Sequence, residues 1–178
     1  MIDERLLCRD EVGLVWGIDR REVIEEIYAL KGGELVLRPE FYDMSGWPEG
    51  EAEHFTPTLL DCFDRGGWFL GLFDQGRLIG AVVLDSCRFG PAGEWLQLTF
   101  LHLSHAYRRR GLGAHLFRLA VARARARRVE AGALYVSATP SRNTVDFYMR
   151  LGCRLCEQPD EALYQREPDD IHLLHDLT

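Results

Sequence analysis

A chain of 178 residues is one ordinary domain's worth and too short for two well-packed enzymatic halves. With 47% hydrophobic residues it can bury a core, which excludes a disordered composition. The formal net charge of −7 speaks against a nucleic-acid or membrane partner, yet eight arginines and no acid fall between Arg108 and Arg128, against 13 basic and 28 acidic residues elsewhere.

A cationic stretch inside an acidic chain suggests a small anionic ligand rather than a long polyanion. No apolar run has the length of a signal peptide at the N-terminus or of a membrane span elsewhere. Five cysteines (Cys8, Cys62, Cys87, Cys153, Cys156) are odd in number and scattered, so reduced thiols in a cytoplasm are the simpler reading. Residues 1–178 are treated as one domain.

In chain order, Leu6-Leu-Cys and Leu14-Val-Trp look strand-like, and Arg20 to Ala29 fits helix or strand. Lys31-Gly-Gly-Glu34 is a turn feeding Leu35-Val-Leu, hence a hairpin. Tyr42 to Glu53, broken by Gly46 and Pro48, predicts a loop. Thr56-Pro57 predicts an N-cap and first helical position, opening a helix to about Phe63. Trp68 to Phe73 and Leu78 to Leu84 are strands joined by the turn Asp74-Gln-Gly-Arg77, and Glu94 to Leu103 is a longer strand. Arg110 to about Ala131 reads as a helix with Leu112, Leu116, Leu119 and Ala126 on its apolar stripe, ended by Gly132. A strand at Leu134–Ala138, a helix from Ser141 to Leu151 and a strand at Ile171–His175 complete a mixed α/β (α+β) sheet flanked by helices.

The strand–helix junction His105-Ala-Tyr-Arg-Arg-Arg-Gly111-Leu-Gly113-Ala carries the chemistry. Its glycines let backbone amides point into one concavity, and the helix N-terminus adds partial positive charge, so phosphate or pyrophosphate is the natural occupant. A phosphate loop of the G-x-x-x-x-G-K-[ST] type is excluded for want of a lysine. A dinucleotide fingerprint is excluded because Leu116 stands at its third glycine and antiparallel strands come first. A tight turn with no ligand is the competing structural explanation.

Arg108-x-x-Gly111-x-Gly113 matches the R-x-x-G-x-G signature of the Gcn5-related N-acetyltransferases (GNAT). Downstream, Asn143, Phe147, Tyr148 and Gly152 resemble the same family's N-x-x-A-x-x-F-Y-x-x-x-G-F helix, with Asp146 and Cys153 in place of Ala and Phe. His105 stands where the family often has proline. The resemblance covers about Trp68 to Gly152, and upstream segments fit only by element order.

It implies a mixed, mostly antiparallel sheet of six or seven strands with a splayed parallel pair. Acetyl-CoA is implied as co-substrate, with no metal. The amides of Arg109, Arg110, Gly111, Leu112, Gly113 and Ala114 would hold its pyrophosphate beside Arg108. Backbone groups of Leu101 and Leu103 would pair with pantetheine like an added strand, and Asn143 would make a further cofactor contact. An amide at the splayed strand's end would polarise the thioester carbonyl. Tyr148 matches the family's frequent general acid, with a packed helix aromatic as its alternative.

The family's strand carboxylate falls on Gln97, which is no base. Glu94, three residues earlier, faces the other side unless a bulge re-aims it, so Glu94 as base, Gln97 as substrate hydrogen-bonder, and water as proton relay all stay open. Tyr42 and Trp47, in an acidic aromatic stretch, could hold a cationic amine, or Trp47 could simply pack under the loop.

The implied reaction is direct acetyl transfer, in a ternary complex, to a small-molecule or peptide amine. Alternatives are a non-catalytic acyl-CoA sensor, or a different acyl donor or acceptor. A third, an RNA-binding basic helix, sits badly with the acidic remainder. A homodimer is expected as common for this fold. Cys153-x-x-Cys156 and the pair His172 and His175 sit at spacings that face opposite sides of an extended strand, so neither pair chelates a metal.

Overall fold

The computed structural model describes residues 1–127 and 132–178; the end of the helix expected to run to Ala131 lies outside the described residues. Among the described residues, nine strands and four α-helices follow in the order β1 (Ile2–Leu6), β2 (Glu22–Lys31), β3 (Glu34–Met44), α1 (Glu51–Asp64), β4 (Trp68–Asp74), β5 (Arg77–Phe89), β6 (Trp95–Leu103), α2 (Leu112–Ala126), β7 (Ala133–Ala138), α3 (Arg142–Arg150), β8 (Arg154–Leu155), α4 (Glu161–Arg166) and β9 (Ile171–Asp176). Seven strands form one sheet in the order β1-β4-β5-β6-β7-β9-β8, and β2 with β3 forms a separate two-stranded arm. All pairings are antiparallel except β6 with β7, which are joined through α2. No helix among the described residues is long and apolar enough to cross a membrane.

The β4–β5 turn forms as its residues predict, with positive φ at both Gln75 (50°) and Gly76 (76°), the twist a two-residue hairpin needs. On one face of the sheet, Leu116, Phe117, Ala120, Val121 and Ala124 of α2 and Val145 and Tyr148 of α3 pack onto Leu96, Leu98, Leu134 and Val136. The apolar stripe of α2 is therefore rotated from the expected one, since Ala126 is exposed and Leu119 only partly buried. On the other face, α1 and a 3-10 helix at Arg9–Gly17 cover Phe69, Phe73, Val83 and Phe100.

Three segments depart from expectation. Leu14-Val-Trp is the end of that 3-10 helix, not a strand; Val12 and Val15 are fully buried at a spacing of three, the repeat of a 3-10 turn. The expected loop from Tyr42 to Glu53 is shorter, because β3 runs through Met44 and α1 starts at Glu51. Thr56 and Pro57 consequently lie inside α1, where the Thr56 hydroxyl donates back to the Ala52 carbonyl instead of capping. Cys153 is buried in the α2–α3 core and Cys156 in a separate cluster with Trp95 and Tyr135, in keeping with their opposite orientations.

Strand β6 has two irregularities. Its ladder with β7 has only three rungs, Trp95↔Ala133, Leu96↔Leu134 and Gln97↔Tyr135, after which the strands part. On its β5 side, Leu98 pairs with Leu84 and Phe100 with Val83, so Thr99 is an extra, bulged residue. The bulge inverts the alternation: Leu96, Leu98, Leu101 and Leu103 all belong to the α2–α3 side, while Phe100 belongs to the α1 side.

Candidate active site

Where β6 and β7 part, a cleft of about 830 Å³ opens, a size suited to a cofactor-sized ligand. One wall is the end of β6 from Leu98 to Leu103; the other is the end of β7 and helix α3, with Ser137, Asn143, Phe147 and Tyr148. Its floor at one end is the turn that opens α2, including Arg109, Gly111, Gly113 and Ala114.

That turn is built for close backbone approach. Arg109 (φ 60°) and Gly111 (φ 79°) both lie in the left-handed region, and Gly111 is the N-cap of α2 with no side chain capping the helix. The first amides of α2 are thereby aimed outward with the positive end of the helix behind them. A Cβ at Gly113 would stand 3.4 Å from the Phe147 ring, so α2 and α3 are drawn close at the mouth of the cleft.

Arg108 plays a different part from a free phosphate ligand. Its Nε donates to the Leu103 carbonyl (3.0 Å) and its guanidinium to the Arg20 carbonyl (3.2 Å), with Glu22 3.6 Å away. The turn is tied to residues 19–21 again through Asp19 N, which donates to Ser104 Oγ (3.0 Å), and His105 N, which donates to the Asp19 carbonyl (2.9 Å). Arg110 lies over the Tyr107 ring at 5.4 Å.

Helix α3 starts at Ser141, whose Oγ accepts from Thr144 N, and its next side chains brace the β2–β3 arm: Asn143 donates to Glu22 (3.0 Å) and Tyr28 to Asp146 (2.8 Å). Tyr148 is 6% exposed, in edge contact with Phe117 and Phe147. Burial pushes its hydroxyl above the ordinary tyrosine range, so it stays protonated and able to donate.

The remaining candidates lie elsewhere. The Glu94 carboxylate accepts from Ala92 N (2.7 Å), holding the Gly90–Gly93 turn at the opposite end of β6 from the cleft mouth. Of the two register shifts between β5 and β6, one is the surplus Thr99 and the other places its extra residues on β5 between Leu84 and Arg88, so neither re-aims β6 at Glu94. Gln97, on the last rung, and Tyr42, half-exposed with its hydroxyl on Glu40, do not line the cleft. Trp47 packs edge-on to Trp16 and stacks on Phe100, and its indole donates to the Ile18 carbonyl (2.9 Å), a packing role beneath the cleft wall.

Several cleft residues were not expected from sequence, among them the polar side chains of Arg20, Glu22, Thr99 and Ser137. Arg20 pairs with Glu51 (3.6 Å) and lies over the Trp47 ring (4.9 Å). The neighbouring His102 is pushed down to about 3, by burial first and then by Arg20 and Arg108, so its imidazole is neutral. No local motif announces these positions, because they depend on contacts distant in sequence.

Residues 34–153 match the model of the acetyltransferase (GNAT) family. Among curated protein sequences, none matches the chain significantly. Among solved structures, the chain is similar to nourseothricin acetyltransferase (TM-score 0.70, 19% identity, 99% of each chain covered). It is also similar to a GNAT-family acetyltransferase of Staphylococcus aureus Mu50 (TM-score 0.69, 11% identity, 100% of each chain). A third is the PaiA N-acetyltransferase of Thermoplasma acidophilum in complex with coenzyme A (TM-score 0.63, 16% identity, 99% of each chain). At such identities the structural likeness speaks for the fold.

Proposed function

We propose, for a chain that belongs to the acetyltransferase (GNAT) family, that it transfers an acetyl group from acetyl-CoA to the primary amine of a small molecule or peptide, directly and within a ternary complex. The observation that carries this reading is the fork after Gln97 and Tyr135, which leads from an uncapped, left-handed glycine turn to the buried hydroxyl of Tyr148.

The residues present fit the cofactor. Amides from Arg109 to Ala114 would take the pyrophosphate, since the left-handed Arg109 and Gly111 turn them to one side. Leu101 and Leu103, past the last rung with β7, would offer backbone groups to the pantetheine arm, as a strand does to an added neighbour. Asn143 lines the cleft with one amide hydrogen held by Glu22, which leaves its carbonyl oxygen and second N–H for the cofactor. Arg108 supports the turn rather than binding phosphate through its guanidinium.

Acetyl-CoA supplies the activated thioester; the protein must supply position and proton traffic. The amine has to lose a proton before it can attack, and the departing sulfur gains one from Tyr148. The likeness to nourseothricin acetyltransferase and to a coenzyme A complex supports the donor and the class of reaction.

The test is release of free thiol from acetyl-CoA in the presence of polyamines, aminoglycosides, amino acids and peptides with free N-termini. Thiol release with at least one amine, and a product one acetyl group heavier, is expected. Tight binding of acetyl-CoA with no release to any amine would replace the enzyme with an acyl-CoA sensor.

A further inference from the structure

With Glu94 and Gln97 both away from the cleft, the attacking amine lacks an evident proton acceptor on β6. The fork between β6 and β7 supplies one from its other arm. Ser137 stands two residues past the last rung of the parallel ladder, on the same strand face as Tyr135, and lines the cleft. Its hydroxyl donates to Asp170 Oδ2 at 2.8 Å. Asp170 is partly buried just before β9, and no cation lies within ion-pair distance of it among the described residues, Arg20 being paired with Glu51 instead. Across the fork, Thr99 presents a buried Oγ1 with no partner among the described residues, which marks a polar position that the fold alone leaves unmet.

Resting on the acetyl-transfer reading, we infer that Ser137 and Asp170 form the proton-accepting dyad for the acceptor amine, with Ser137 Oγ touching the amine and Asp170 holding the proton. Ser137 Oγ takes one proton from the ammonium as its own proton passes to Asp170 Oδ2. The freed nitrogen lone pair forms the C–N bond, and the C–S bond breaks with its electrons on sulfur. Tyr148 protonates that sulfur and is reprotonated by the second nitrogen proton. Asp170 then returns its proton to water, so one ammonium and one thioester give one amide, one thiol and one proton.

The surroundings of Asp170 suit the task. Burial raises its carboxyl above the ordinary carboxylate range; the Ser137 hydroxyl and the more distant Arg20 lower it, and Asp169 raises it. Glu167, facing the same space and itself raised by burial, by Asp170 and by Glu51 of α1, adds further negative potential. On β9, the adjacent His172 is held below its ordinary range by burial and stays neutral near pH 7. A carboxylate with only a hydroxyl for a partner, in negative surroundings, is a better base than one locked in an ion pair.

The experiment compares the wild type with Asp170→Asn, Ser137→Ala and Ser137→Thr, reading kcat/KM against pH, coenzyme A affinity by calorimetry, and the carboxyl 13C titration of Asp170. For Asp170→Asn, a loss of about 100-fold near pH 7 is expected. That loss should shrink toward pH 10 as the amine deprotonates unaided, with coenzyme A affinity unchanged. Ser137→Ala is expected to lose less and Ser137→Thr to recover. An Asp170→Asn enzyme with the wild-type profile overturns the inference, as does a deficit equal at all pH values accompanied by weaker coenzyme A binding. Should the wild type acetylate no amine, the proposed function fails, and the 13C titration still judges the dyad. An Asp170 carboxyl titrating in the ordinary range and insensitive to Ser137→Ala overturns it.

Discussion

Gln97 and Tyr135 form the last rung of the parallel ladder between β6 and β7, and past them each strand serves the cleft instead of its neighbour. Leu98 to Leu103 on one arm and Ser137 to Thr139 on the other are the lining that results. Pairing that ends early leaves backbone groups at depth without a strand partner, a state that persists only where a ligand or water takes them.

Gly111 tests the turn. Its φ of 79° is unfavourable for any residue with a Cβ, although nothing crowds the position. Gly111→Ala is expected to cost about 1–2 kcal/mol in urea unfolding. It should also weaken coenzyme A binding several-fold in calorimetry, because relaxing the strain turns the first amides of α2 away.

Tyr148→Phe keeps the ring packed against Phe117 and removes only the hydroxyl. Activity is expected to fall about 100-fold at neutral pH with coenzyme A affinity intact. Since burial moves the hydroxyl upward, the wild-type rate should show no alkaline loss from this group below about pH 10, the ordinary tyrosine value. Full activity of the variant across the pH range would remove Tyr148 from the mechanism.

Arg108 tests the tie between the turn and the N-terminal segment. Replacing it with alanine leaves the Leu103 and Arg20 carbonyls short of a donor and is expected to cost about 1–3 kcal/mol by chemical unfolding. Arg108→Lys should recover little, because one ammonium cannot reproduce the fork that spans both carbonyls.

His102 sets an acid dependence of stability. Its folded value of about 3 lies below the unfolded value near 6.5, so its contribution is complete above 6.5 and is lost as pH falls toward 3. The slope is about 1.4 kcal/mol per pH unit at most. His172 and His175, also lowered by burial, act in the same direction. Melting temperature measured from pH 7 to pH 4 should therefore fall less in His102→Gln than in the wild type.

What could be read in the sequence was local. The turn from Arg108 to Gly113 and the helix carrying Asn143, Phe147 and Tyr148 announce themselves because glycine conformation and helical spacing are written in adjacent residues. Arg20 and Glu22 were silent because their place is decided by Ser104, Arg108 and Asn143, far along the chain. In Leu96-Gln-Leu-Thr-Phe-Leu the alternation breaks where Phe100 and Leu101 stand side by side, but the break does not say which residue is surplus, and the facing of Glu94 and Gln97 could not be resolved. Asp170 stands two residues after Pro168 in a segment with no periodicity, and only the closing strand β9 brings it beside Ser137.

The single surplus residue at Thr99 also bears on how this protein can change. Upstream and downstream of it, the leucines of β6 hold the helical layer, while Phe100 and His102 are delivered to the opposite layer beside Trp47. One strand thus carries two separable duties, and substitutions at 100 and 102 can retune one layer while the leucines that support α2 and α3 stay fixed. Deleting Thr99 would close the bulge and leave the partners and facing of Phe100 to Leu103 as they are, so the surplus residue shapes the strand beside the cleft rather than deciding which layer each side chain joins.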